Sequence, residues 1–191
     1  MSIRLGGRVL LVAALGCVTT AAVTGCTEAV ADPPRVAAPV ATEWPASVSG
    51  GACQLLDYAA IEAALKVRFD VAAASQQGKT KTCVLRHQQA SHPELTLAVS
   101  ATTADASVFK STVMPSKAES VSGLGKAAYQ ARIAAGKADG PGVEVGWLSG
   151  NKRLLSLRLI FPPEADAAEA DAVATPLVQF AKTIEKAKPS V

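Results

Sequence analysis

In six stretches between residue 67 and residue 161 the apolar side chains fall on alternate positions, and that period of two is what most limits the possible folds. Val67, Phe69 and Val71 alternate with Arg68 and Asp70. Cys83 and Leu85 share one face of the stretch Lys81 to His87, and Leu95, Leu97 and Val99 alternate with Thr96 and Ala98. The same pattern returns at Tyr129, Ala131 and Ile133, at Val143, Val145 and Trp147, and at Leu155, Leu157, Leu159 and Phe161. Each stretch reads as a strand with one wet face. Gln77-Gly78-Lys79, Val121 to Gly125 and Gly150-Asn151 supply turns, because glycine and asparagine tolerate positive φ. Pro162-Pro163 stops the last strand.

Helical spacing fills the gaps. Asp57 is placed to cap a helix, with Leu56 stapling to Ile61 across its first turn. Asp105 begins a short helix with Val108, Phe109 and Val113 turned inward. A last helix starts at about Glu164 and is expected to bend or restart at Pro176. Val173, Leu177, Phe180, Ala181 and Ile184 form its buried stripe. The order α-β-β-β-α-β-β-β-α predicts an α+β fold: an antiparallel sheet of about six strands with helices packed on one face. Two αβββ halves suggest a pseudo-duplication, although their residues do not repeat.

The first residues obey a different rule. Arg4 and Arg8 precede an apolar run from Val9 to Val23. That length suits a signal peptide and falls short of the roughly 20 apolar residues of a membrane span. Residues 23–26, Val-Thr-Gly-Cys, resemble the bacterial lipobox, with Gly25 directly before Cys26 and Val23 where leucine is commonest. The resemblance implies cleavage before Cys26 and lipidation of its thiol. Two acyl chains, at about 0.8 kcal/mol per buried methylene, hold a domain stably where one does not. The expected address is therefore the extracytoplasmic face of the cell membrane, with a lipid such as palmitate on Cys26. Arg4 and Arg8 are not adjacent, so a twin-arginine export signal is not supported.

The domains expected on this basis are a signal peptide at 1–25, a lipidated cysteine and disordered tether at 26–52, and a globular domain at 53–188. The tether carries Pro33, Pro34, Pro39 and Pro45 among Ala, Val, Thr and Ser, without period. Some 25 residues of polyproline II would span about 75 Å. Beyond position 25 the 166 residues carry 17 basic and 16 acidic side chains. A chain so near neutral is a poor nucleic-acid binder, because affinity there needs clustered phosphate-neutralising charges, and no nucleic-acid partner is expected. Cys17 leaves with the signal peptide and Cys26 takes lipid, so Cys53 and Cys83 remain as an even pair in an exported chain. Oxidising surroundings favour a disulfide between them.

Cys53-Gln54-Leu55-Leu56, Cys83-Val84-Leu85, the turn Val121-Ser122-Gly123-Leu124-Gly125 before a strand, and an alanine-rich last helix together resemble the small actinobacterial lipoproteins of unknown function. The resemblance covers roughly residues 53–187. It implies an α+β sheet domain and the Cys53–Cys83 bridge, and it implies no reaction.

The residue types of catalysis are sparse. Gly123-x-Gly125-x-x-Ala128 matches a loose dinucleotide fingerprint, but a strand comes next where a helix is needed. His87, His92 and Glu94 are too few and too loosely spaced for a metal site and read as a solvated loop. No Gly-x-Ser-x-Gly elbow exists. Asp166, Glu169 and Asp171 suit the N-terminus of the last helix, and Lys182, Lys186 and Lys188 its C-terminus. The expectation is a non-catalytic binding or interaction module that needs no cofactor. Its partner is an envelope protein, lipid or glycan. The alternatives are a lipid carrier with an apolar cavity between sheet and helices, and an envelope hydrolase using His87 or His92.

Overall fold

The structure, a computed structural model, describes residues 45–187. The expected signal peptide, Cys26, the tether up to residue 44, and Lys188 lie outside the described residues.

The chain enters through two 3-10 turns, Ala46–Ser49 and Gly51–Leu55. This corrects the expected domain start at 53. Ala46 and Ala52 are 1% and 0% exposed and belong to the core, so the last residues assigned to the tether are part of the domain. Proline and glycine there set a tight entry rather than a spacer. Cys53, in the second turn, is bonded to Cys83 with the sulfurs 1.98 Å apart and the Cα atoms 4.9 Å apart. Leu56 and Ile61 are both buried beside the start of α1 (Tyr58–Leu65). Its cap is Asp57, whose carboxylate accepts from the Ala60 N–H at 2.8 Å.

Three strands come next as a meander, β1 (Val71–Gln77), β2 (Thr80–His87) and β3 (Ala90–Ala101). The first differs from expectation, because only Val71 of the stretch 67–71 is in a strand. Phe69 is buried from the connection instead, so its alternation recorded burial without a ladder. Asp105 then caps α2 (Ala106–Val108), which continues as a single π turn, Phe109–Val113. The second meander is β5 (Ala127–Ile133), β6 (Gly142–Leu148) and β7 (Arg153–Ile160), preceded by a two-residue strand, β4 (Glu119–Ser120). Two residues are too few to show a period, which is why the sheet has seven strands rather than six. The chain closes with α3 (Ala167–Lys186), capped by Asp166. It runs unbroken past Pro176. Burial of Val173, Ala174, Leu177 and Val178 around that proline offsets its cost of about 3 kcal/mol.

The sheet order is β1-β2-β3-β7-β6-β5-β4, and each neighbouring pair is antiparallel. The two meanders therefore meet through their last strands, with Leu97 opposite Leu157. This gives the pseudo-duplication a backbone counterpart. Alternation sends Leu85, Leu95, Leu97, Val145, Trp147, Leu155 and Leu157 to one face, in one buried cluster with Ile61 and Leu65 of α1 and with Leu177, Phe180 and Ala181 of α3. The placement of α2 is a further correction. Phe109 packs in a second cluster with Ala127, Tyr129 and Leu148 on the opposite face, while Val108 turns outward at 43% exposure. Among the described residues no helix is long and apolar enough to cross a membrane.

Candidate interaction face

The two sheet faces are finished differently. One is sealed by α1 and α3. Among the described residues the other is covered only at its β5–β6 corner, where the Phe109 and Tyr129 rings lie 5.8 Å apart. Tyr129 lies across Gly146, where a Cβ would sit 2.4 Å from its ring carbons. That close approach is what demands glycine inside β6. The Tyr129 hydroxyl donates to Glu144 Oε1 at 2.5 Å, and Ser156 Oγ donates to the same oxygen at 3.2 Å. Burial, with the Glu144 carboxylate adding to it, pushes the Tyr129 phenol well above its usual 10.0.

Past Tyr129 the face lies open. Thr82, Ala98, Ser156 and Gly146 form one transverse row, and Val84, Thr96, Arg158 and Glu144 the next. Most of these side chains are half-buried, and Arg158 is exposed. Thr80 Oγ1 donates to Ser100 Oγ at 3.1 Å, and Thr96 Oγ1 donates to Glu94 Oε1 at 3.0 Å. Arg86 closes one corner by pairing with Glu94 through Nε at 2.7 Å. The result is a shelf of hydroxyl and small side chains with one guanidinium at its centre. It can offer directional hydrogen bonds and little apolar area. Sequence reasoning treated these positions only as the wet face of the strands, since the missing cover is a property of helix placement.

The candidate residues separate. Cys53 and Cys83 come together. His87 Nε2 lies 3.4 Å from Asp70 Oδ2, His92 Nε2 lies 3.0 Å from Asp139 Oδ1, and Glu94 is held by Arg86 and Thr96. Three groups with three different partners do not converge on one ion. Ser91 Oγ is 3.2 Å from His92 Nδ1, so a hydroxyl, an imidazole and a carboxylate stand in line, and of these Ser91 alone lines an open groove of about 390 Å3. The neighbouring amides are already used. The Gln88 N–H donates to Asp70 and the Gln89 N–H to His87, so neither is available to an oxyanion. Gly123 and Gly125 both take positive φ in a turn, and a Cβ on Gly125 would meet the Leu148 carbonyl at 2.3 Å. Positive φ at Gly123, and positive φ with backbone packing at Gly125, account for the pair without phosphate binding. Asp166 accepts from the Glu169 N–H, and Asp171 pairs with Arg132.

One polar hub escaped the sequence. Glu185 of α3 accepts from Trp147 Nε1 at 3.0 Å, Ser149 Oγ at 2.9 Å and the Gly150 N–H at 3.4 Å. It fastens the helix to the β6–β7 hairpin. No local pattern marks a carboxylate that serves residues 35 to 38 positions away.

No family model matches the chain, and no curated protein or solved structure matches it.

Proposed function

We propose that this is a cell-envelope lipoprotein, anchored through lipid on Cys26, whose domain is a non-catalytic interaction module working through the open sheet face. The observation that carries the reading is the asymmetry of the sheet. One face is buried under two helices, and the other presents Thr82, Thr96, Ser156 and Arg158 exposed or half-buried. The lipobox and the proline-rich stretch before residue 45 support the address. The quoted cysteine and Gly-Leu-Gly motifs support kinship with the small actinobacterial lipoproteins.

A hydroxyl-rich shelf favours a polar partner, an envelope protein or glycan, over an acyl chain. The packing of the helix–sheet interface by Leu97, Val145, Trp147, Leu157 and Leu177 speaks for a partner held outside rather than a lipid carried within. The test is cross-linking in intact cells with Thr82→Lys and Thr96→Lys variants that still fold. Loss of the adducts supports the face, and unchanged adducts refute it. Palmitate labelling should vanish in Cys26→Ala, and continued labelling would refute the anchor.

The line of Ser91, His92 and Asp139 favours a second reading, an envelope hydrolase. It requires that a fluorophosphonate probe label Ser91 and that His92→Ala abolish the labelling. An unlabelled native protein removes this reading.

A further inference from the structure

We propose that the free edge of β1 pairs with the same edge of a second copy, antiparallel about a two-fold axis at Ala74, joining two sheets into one. This edge is a different surface from the open face, and its pairing does not depend on the lipid anchor.

β1 ends the sheet. Edges are normally guarded by charge, proline, bulges or shortness, because unpaired N–H and C=O groups invite another strand. Among the described residues Val71–Gln77 has none of these guards, and the 3-10 turn Ala46–Ser49 lies against it at its Ala72 end. Its sequence is Val-Ala-Ala-Ala-Ser-Gln-Gln, its register against β2 is unbroken, and every residue except Ala72 is exposed. The opposite edge is guarded, since β4 is two residues long and carries Glu119.

The backbone parity can be read directly. Ser49 Oγ donates to the Ala72 carbonyl at 2.9 Å, so that carbonyl points away from β2. In an antiparallel ladder alternate residues share this direction, so Ala74 and Gln76 also aim their backbone groups outward. Pairing about Ala74 sets Ala74 against Ala74 and Ala72 against Gln76. Those are the residues whose groups face outward, and the Ala72 carbonyl, already bonded to Ser49, keeps a second lone pair.

The side chains agree with that register. Val71 falls opposite Gln77 and Ala73 opposite Ser75, with no like charges facing each other. Asp70 falls opposite Gly78, and its carboxylate is held on the β2 side by the Gln88 N–H and His87, so the register rests on the neutral pairs. Val48 and Val71, 64% and 41% exposed, mark the Ala72 end, where a partner strand would cover apolar surface. A second copy is the occupant that meets all these conditions, because each requirement of the edge is answered by the edge itself.

The experiment is sedimentation equilibrium of the full chain extracted in detergent. Three variants are compared: Ala73→Lys/Ser75→Lys, Ala73→Glu/Ser75→Glu, and Ala74→Pro. The first two put like charges opposite each other on exposed positions. The third removes an outward N–H and leaves the ladder to β2 intact. The native chain should show a monomer–dimer equilibrium, and each variant should raise its Kd at least tenfold with unchanged circular dichroism. Mixing the Lys and Glu variants should restore dimers. A native chain that stays monomeric overturns the proposal, as does a dimer that all three variants leave intact. A native monomer that captures an extended foreign peptide along β1 also overturns it.

Discussion

Replacing Glu185 tests the account of how α3 is held to the sheet. Its carboxylate satisfies Trp147, which is 0% exposed, and Ser149, which is 3% exposed. Glu185→Ala leaves an indole N–H and a hydroxyl buried without an acceptor. Each orphaned group costs about 1–3 kcal/mol, so the variant should lose roughly 2–6 kcal/mol. Glu185→Gln keeps one acceptor oxygen but turns an amide N–H2 toward a donor, so it should fall between the two. The assay is urea unfolding monitored by Trp147 fluorescence in a Trp44→Phe background, since the chain has 2 tryptophans. The midpoint should fall while the slope with denaturant stays constant, because the surface exposed on unfolding is the same. A loss below about 0.5 kcal/mol, the size of an ordinary surface change, would refute the hub.

The disulfide, the Gly146 contact and the Tyr129 phenol each give a further expected outcome. The bridge closes a loop across a separation of 30 residues. Opening it with Cys53→Ala/Cys83→Ala should cost about 3–4 kcal/mol, read as a Tm lower by about 6–16 °C. Gly146→Ala drives a methyl group into the Tyr129 ring and should cost about 1–3 kcal/mol; an unchanged Tm would contradict the stacking. Tyr129 holds its proton more tightly folded than unfolded, so stability is level below its unfolded value of 10.0 and falls as pH rises above it. Alkaline titration monitored by phenolate absorbance in a Tyr58→Phe variant should show Tyr129 ionising late, and together with unfolding.

Much of the fold was legible because alternation and capping are local. Asp57 and Asp105 were readable as helix starts from the spacing of the residues after each, and the buried stripe of α3 from its period, whereas the start expected at about Glu164 lies at Ala167, with Asp166 as the cap. The errors have specific causes. Phe69 alternates with its neighbours although it lies outside any ladder. The residues 45–52 read as spacer because alanine and glycine give no period, yet small size is what lets Ala46 and Ala52 enter the core. The short α2 has too few residues to reveal which face of the sheet it covers, and Val108 and Phe109 are equally apolar in sequence. The site was the least legible part. An open face is defined by what fails to cover it, and Glu185 reaches its partners only after the chain has folded back.

The most direct test of the central claim is site-specific photo-cross-linking in intact cells. A photoreactive residue is placed at Thr82 or Thr96 on the open face, or at Glu62 on the exposed side of α1. The account predicts a discrete adduct from Thr82 and Thr96 in the membrane fraction and none from Glu62. Equal adducts from Glu62, or none from the open face, would contradict it.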